Sequence, residues 1–143
     1  MLIVKSQITF DGEAEEALNF YCKIFKGKIE NLLRYGDVKD YPAIASMDEK
    51  QKQLIMNARL DFGNNMLSVC DSMPGDELTV GNNIIMDAVT DNAEEAKHIF
   101  TSLSEGGKVI MPLQEIFFSP NFGVLIDKFG IGWNVMQTDE LDA

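Results

Sequence analysis

The tetrapeptide Ala-Glu-Glu-Ala occurs twice, at Ala14–Ala17 and at Ala93–Ala96, and its surroundings constrain the fold more than any other feature of the chain. In the first copy Ala17, Phe20, Tyr21 and Ile24 fall at i, i+3, i+4 and i+7; in the second, Ala96, Ile99, Phe100 and Leu103 repeat the stripe. Apolar residues at that spacing line one side of an α-helix, so both segments predict amphipathic helices with one buried face. The glutamates sit where the positive end of the helix dipole favours them. Glycine follows each helix, Gly27 in one copy and Gly106-Gly107 in the other, and then comes an apolar, strand-like run, the expected stop signal. Two acidic helix starts could share four residues by chance; shared stripe, stop and flanks together indicate an internal duplication.

Strands surround both helices. "LIVKSQITF" from Leu2 alternates Leu2, Val4, Ser6, Ile8 and Phe10 against Ile3, Lys5, Gln7 and Thr9, and "LIMNARLDF" sets Leu54, Met56, Ala58, Leu60 and Phe62 against Ile55, Asn57, Arg59 and Asp61. A period of two with one mostly apolar side predicts strands whose apolar face meets the helix. Gly63-Asn64-Asn65 is a hairpin signal, with Met66 to Cys70 as the return strand. The second half runs in the same order: "NNIIMDAV", the helix from Ala93, "KVIMPLQ", "FGVLID" and "GIGWNVM". Each half therefore reads βαβββ, the first module over residues 1–72 and the second over 80–138, within a single α+β domain of 143 residues. Between Gly36 and Gln53, Tyr41-Pro42 and the charged "MDEKQKQ" predict a mobile loop with one helical turn, long enough for a lid.

The chain is 45% hydrophobic and 24% charged, a globular mixture able to bury a core. Its net charge of −11, from 23 acidic and 12 basic residues, repels a phosphate backbone and argues against nucleic acid as a partner. No window approaches the ~20 apolar residues of a membrane span, and the N-terminus lacks a signal-peptide pattern, so a soluble cytoplasmic protein is expected. Cys22 and Cys70 match no metal or redox spacing and are expected as reduced thiols.

Several of these segments resemble a known family. "F-x-G-x-A-E-E-A-x-x-F-Y", "D-x-M-P" after the fourth strand, "G-G-K-V-x-M-P-L" and "F-G-x-x-x-D-K-F-G-I-x-W" occur together and in order, as in the PhnB-like branch of the glyoxalase/bleomycin resistance/dioxygenase superfamily, the vicinal oxygen chelate proteins. The resemblance spans about Lys5 to Met136. It implies two tandem βαβββ modules whose mixed sheet curls into a cup, with helices outside, a ligand site inside and, commonly, a homodimer. Such proteins often carry the label 3-demethylubiquinone 3-methyltransferase, although nothing here resembles a nucleotide-cofactor fingerprint such as G-x-G-x-x-G.

With the cup implied, Lys5, Gln7, Thr9, Asn57, Arg59, Asp61, Ser68 and Cys70 would line it, joined through the repeat by Asn83, Asp87 and Asn134, while Ile8, Phe10, Leu60, Leu67 and Val69 meet the helices. Phe118, next to Phe117 where relatives often have a Phe-Trp pair, would stand at the rim and suit an organic ligand. Trp133 and Val135 pack toward the helices, on the opposite side from Asn134. Metal-dependent relatives place His, Gln or Glu where this chain has Lys5, Ser68, Asn83 and Asn134. A protonated ammonium has no lone pair and Asn is a weak ligand, so no transition metal and no other cofactor is expected. Asn57 also stands where a histidine is common. A one-residue slip would bring in Gln7, Asp61, Cys70 or Asp87, which keeps a divalent metal open.

His98, on the outer side of the second helix, has no acid or nucleophile near it and reads as a solvent-exposed residue. Cys70 lacks a histidine partner and reads as pocket lining. Arg59 and Asp61, two apart on one strand face, form either a simple ion pair or a grip on an anionic ligand group. The expected partner is a small organic molecule held by a homodimer. Two alternatives remain: a metal-dependent lyase, isomerase or dioxygenase of the superfamily, and a catalytically inactive regulatory or structural dimer.

Overall fold

The structure, a computed structural model, describes residues 1–141. It divides into two compact units, Met1–Thr79 and a second from Val80 onward. In the first, β1 (Ser6–Phe10), α1 (Ala14–Phe25) and β2 (Lys28–Arg34) precede a 3-10 turn at Tyr35–Asp37. Two short helices follow, α2 (Pro42–Ala45) and α3 (Glu49–Lys52), and then β3 (Ile55–Phe62) and β4 (Asn65–Asp71). The second unit comprises β5 (Met86–Thr90), α4 (Ala93–Ser104), β6 (Lys108–Ile116), β7 (Ser119–Ile126) and β8 (Gly132–Gln137). Both sheets are four-stranded and mixed, in the orders β1-β4-β3-β2 and β5-β8-β7-β6. This is the tandem βαβββ arrangement of the α+β class.

The parallel pair in each unit is closed by the same bond. Ser72 N–H donates to the Phe10 carbonyl at 2.8 Å, and Thr138 N–H to the Thr90 carbonyl at 2.9 Å. In both units the helix covers one sheet face. Ala17, Leu18, Tyr21 and Ile24 of α1 are buried with Ala58, Leu60, Leu67 and Val69, while Ala96, Ile99, Phe100 and Leu103 of α4 are buried with Leu125, Trp133 and Val135. The contact of α4 with β7 is closest at Gly123, where a Cβ would stand 2.5 Å from the Phe100 ring.

Five elements differ from their sequence-based expectation. The strand expected from Leu2 begins at Ser6, because its parallel partner starts at Asn65 and Ser6 already pairs with Leu67; Leu2 and Ile3 would lie beyond the hairpin turn with nothing to bond. The second module's first strand starts at Met86 for the same reason, since Met86 pairs with Trp133 and β8 begins at Gly132. Strand β7 begins at Ser119, ahead of the expected Phe122, and β6 runs on to Ile116, so the β6–β7 hairpin turns at Phe117-Phe118. The segment from Gly36 to Gln53 is structured, where a mobile loop with one turn was expected. It carries α2 and α3 over a small core of Tyr35, Ile44 and Met47, against which Val38, Leu54 and Met73 pack. Its ends are tied by Tyr35 N–H to the Leu54 carbonyl at 3.0 Å and by Arg34 Nη1 to the Gln53 carbonyl at 2.6 Å. Arg34 also pairs with Glu15 in the first turn of α1.

Gly27 stops α1 for a reason other than conformation. The left-handed residue is Lys26, at φ 54°, and a Cβ on Gly27 would stand 2.8 Å from Leu60 and 2.9 Å from the Asp61 carbonyl. Glycine is there to let the chain pass close to β3.

Candidate functional site

In the first unit the alternation of β1, β3 and β4 places one side chain in two on the face away from α1. Register makes that face continuous. Gln7 lies beside Ser68 and Thr9 beside Cys70, Ser68 lies opposite Arg59, and Arg59 opposite Glu30 of β2. The Gln7 amide donates to Cys70 Sγ at 3.2 Å, and the Thr9 hydroxyl is 3.4 Å from the same sulfur, where either can donate. Ser68 and Cys70 are buried, while Gln7 and Asn57 are exposed. The arrangement offers hydroxyl, amide and thiol groups, which recognise neutral polar functions by hydrogen bonding.

The charges on this face are satisfied within it. Arg59 grips Asp61 with two bonds, Nε to Oδ1 at 2.7 Å and Nη2 to Oδ2 at 2.8 Å, and both side chains remain one-third exposed, at 33%. The hydrogen bond and charge of Asp61 push the guanidinium pKa up. On the neighbouring strand Lys28 Nζ meets Glu30 at 2.7 Å, and the hydrogen bond it donates to Glu30 pushes its pKa up. The guanidinium fork is thus occupied by its own neighbour, which favours the ion-pair role for Arg59 over a grip on an anion. Lys28 and Glu30 were not among the sequence candidates; their alternation around Ile29, in the run that follows Gly27, was the available signal.

In the second unit the face away from α4 is mostly apolar. Asp87 pairs with Asn134, Asn134 with Val124, and Met136 with Phe122. The Asn134 amide donates to Asp87 Oδ1 at 2.8 Å. Phe118 stacks edge-on against Phe122 at 5.1 Å and against Phe117 at 5.0 Å, and Phe117 and Phe118 are exposed by 99% and 51%. Phe118 is a sequence candidate, whereas Phe122, Val124 and Met136 are not, because apolar strand residues read as core whichever face they occupy.

Besides Phe118 in its hairpin turn, two sequence candidates fall outside the strands. Lys5 immediately precedes β1, and Asn83 precedes β5 by three positions; both are exposed. Ser68, the other first-unit position where the family resemblance implies a ligand, offers a buried hydroxyl, and Asn134 already spends its amide N–H on Asp87. These donors do not fit a transition metal, which favours imidazole, thiolate and carboxylate. Among the described residues, no group of three or more His, Cys, Asp and Glu could hold a metal ion. His98 is exposed on α4, and both cysteines are free thiols.

Trp133, the tryptophan of the last strand, is 3% exposed and packs in the α4 layer. Its indole N–H donates to Asp127 Oδ2 at 2.9 Å, while Asp127 Oδ1 accepts the N–H groups of Phe129 at 2.9 Å and Ile131 at 3.0 Å. One buried carboxylate therefore shapes the "DKFGIG" turn and anchors the strand that presents Asn134 on the opposite face. Asp71 has the corresponding duty in the first unit. It accepts Ala14 N–H at the start of α1 and Ile55 N–H at the start of β3, both at 2.9 Å, and its carbonyl accepts the Tyr35 hydroxyl at 2.7 Å.

Known proteins share this architecture. Protein PA1353 from Pseudomonas aeruginosa superposes with a TM-score of 0.83 at 31% identity, over 96% of this chain and 98% of that one. The PhnB protein from Bacillus cereus does so at 0.79 and 24% identity, over 96% and 100%. A glyoxylase/bleomycin resistance protein/dioxygenase domain from Frankia sp. EAN1pec shares the fold at 0.65 and 12% identity, over 96% and 97%. The family model described as 3-demethylubiquinone-9 3-methyltransferase matches residues 3–136, so the chain belongs to that family, and it shares its fold with the glyoxylase/bleomycin resistance protein/dioxygenase domain.

Proposed function

We propose that this chain binds a small organic molecule on the sheet faces turned away from its helices, without a transition metal, and acts as a homodimer. The observation that carries the proposal is the continuous polar face of the first sheet, where Gln7, Thr9 and Cys70 are joined by hydrogen bonds and Arg59 is neutralised by Asp61. Such a face meets neutral or zwitterionic groups better than a bare anion, because its cations are already paired and the chain is strongly acidic. The second sheet, taken by itself, offers aromatic and aliphatic side chains around Asp87 and Asn134 that suit an apolar group. Asn57, Asp61 and Ser68 complete the polar set of the first sheet, with Lys5 at its margin, and Asn83 precedes the first strand of the second sheet. Self-association is supported by the apolar residues left exposed beside the short edge strands, Leu2 and Val4 before β1 and Ile84 before β5.

Native mass spectrometry of the freshly isolated protein tests the proposal. A dimer carrying an organic mass, or a melting temperature raised by small organic compounds, is the expected result. Near-stoichiometric nickel, zinc, manganese or iron, with a stabilisation that a chelator reverses, would overturn it in favour of a metal-dependent lyase, isomerase or dioxygenase.

A further inference from the structure

The segment between β2 and β3 has no counterpart between β6 and β7, and it builds a cavity that shares no residue with the sheet-face set. Helices α2 and α3 stand beside the chain as it leaves β4, and Met73 of that chain packs on the core of Tyr35, Ile44 and Met47. Between them lies an open cavity of about 520 Å³, within the ~300–1,000 Å³ of small-molecule sites. Its walls are of two kinds. Met47, Met73 and Pro74 give apolar, polarizable surface, whereas Ser46, Gln51 and Asp76 bring polar atoms.

Both rims are held in place. Asp76 N–H donates to the Met73 carbonyl at 2.9 Å, and Gly75 lies at φ 93°, so Met73-Pro74-Gly75-Asp76 closes a tight turn with proline second and glycine third. On the other rim Asp48 and Gln51 exchange side-chain-to-backbone bonds, Gln51 N–H to Asp48 Oδ1 at 2.7 Å and Asp48 N–H to Gln51 Oε1 at 3.0 Å. Among the described residues no cation or hydrogen-bond donor engages the Asp76 carboxylate. An unpaired carboxylate beside two thioethers and a proline ring suits a positive head on an apolar stem.

We infer that this cavity binds a small organic cation, a primary ammonium on a short hydrocarbon stem, with the ammonium at Asp76 and the stem against Met47, Met73 and Pro74. The net charge of −11 raises the local concentration of cations and disfavours the corresponding anions. The inference is independent of the sheet-face proposal, and either can fail without the other.

The test uses the full chain labelled with ¹³C-methyl methionine and titrated with n-butylammonium, with n-butyrate as the matched anion. Met47→Leu and Met73→Leu assign the two methyl signals. Of the eight methionines, Met47 and Met73 should shift saturably with butylammonium and not with butyrate. Asp76→Asn, at an exposed position, should weaken the titration about two- to fivefold, the size of one solvent-exposed ion pair. Shifts that fail to saturate, that butyrate reproduces, or that Asp76→Asn leaves undiminished would overturn the inference.

Discussion

The two units run the same elements in the same order, yet they anchor their helices by different means. Helix α4 is capped locally: Asn92 Oδ1 accepts Glu95 N–H at 2.9 Å, three residues on. Helix α1 has Glu13 at the equivalent position and no side-chain cap of its own. Its first N–H is met instead by Asp71, at the far end of β4. The same carboxylate holds the start of β3, so in the first unit one residue joins three elements. The second unit uses its buried carboxylate, Asp127, on the turn into β8 and on Trp133. The two units share a topology, and each satisfies its orphan helix donors in the way its own loops allow.

The largest expected effect breaks this comparison at its centre. Asp71→Ala strips the partner from two buried backbone N–H groups and should cost roughly 3–5 kcal/mol in urea-denaturation stability. Next comes the close approach of helix and strand: Gly123→Ala drives a methyl group into the Phe100 ring and should cost about 1–3 kcal/mol, read as a lowered melting temperature. Asn92→Ala removes the local cap and should cost about 1 kcal/mol, whereas Glu13→Ala should leave stability within ~0.5 kcal/mol. Equal effects at the two cap positions would show that the helices are not anchored differently.

The smallest effect is at alkaline pH. Burial, reinforced by the negative charges of Cys70, Asp71 and Asp76, pushes the Tyr35 phenol above its ordinary value of 10.0. The folded chain keeps this phenol neutral to higher pH than the unfolded chain does. Its contribution is therefore complete below the unfolded value and is lost as pH rises through the folded one. Absorbance titration should show a late-ionising fraction of the tyrosine signal that shrinks in Tyr35→Phe.

The helices and most strands were legible in the sequence because each carries its own period, as the stripe from Ala17 to Ile24 does. The polar character of the first sheet's open face was legible too, since Arg59, Asp61, Ser68 and Cys70 alternate with buried neighbours. Strand starts were not. Leu2 and Ile3 look like strand by alternation, and the length of β4 denies them a partner. The segment from Gly36 to Gln53 read as a loop because its apolar residues, Ile44 and Met47, find their partners at Tyr35, Leu54 and Met73 rather than within a period.

Periodicity and punctuation, which act over a few residues, determined the duplication, the two helices and the division of each strand into an apolar and a polar side. Tertiary structure decided what depends on partners far along the chain. It closed the Arg59 fork with Asp61, gave Asp71 and Asp127 their buried duties, joined Gln7 and Thr9 to Cys70, and opened a cavity beneath α2 and α3. Those features rest on hydrogen-bond geometry and excluded volume between segments that no local pattern relates.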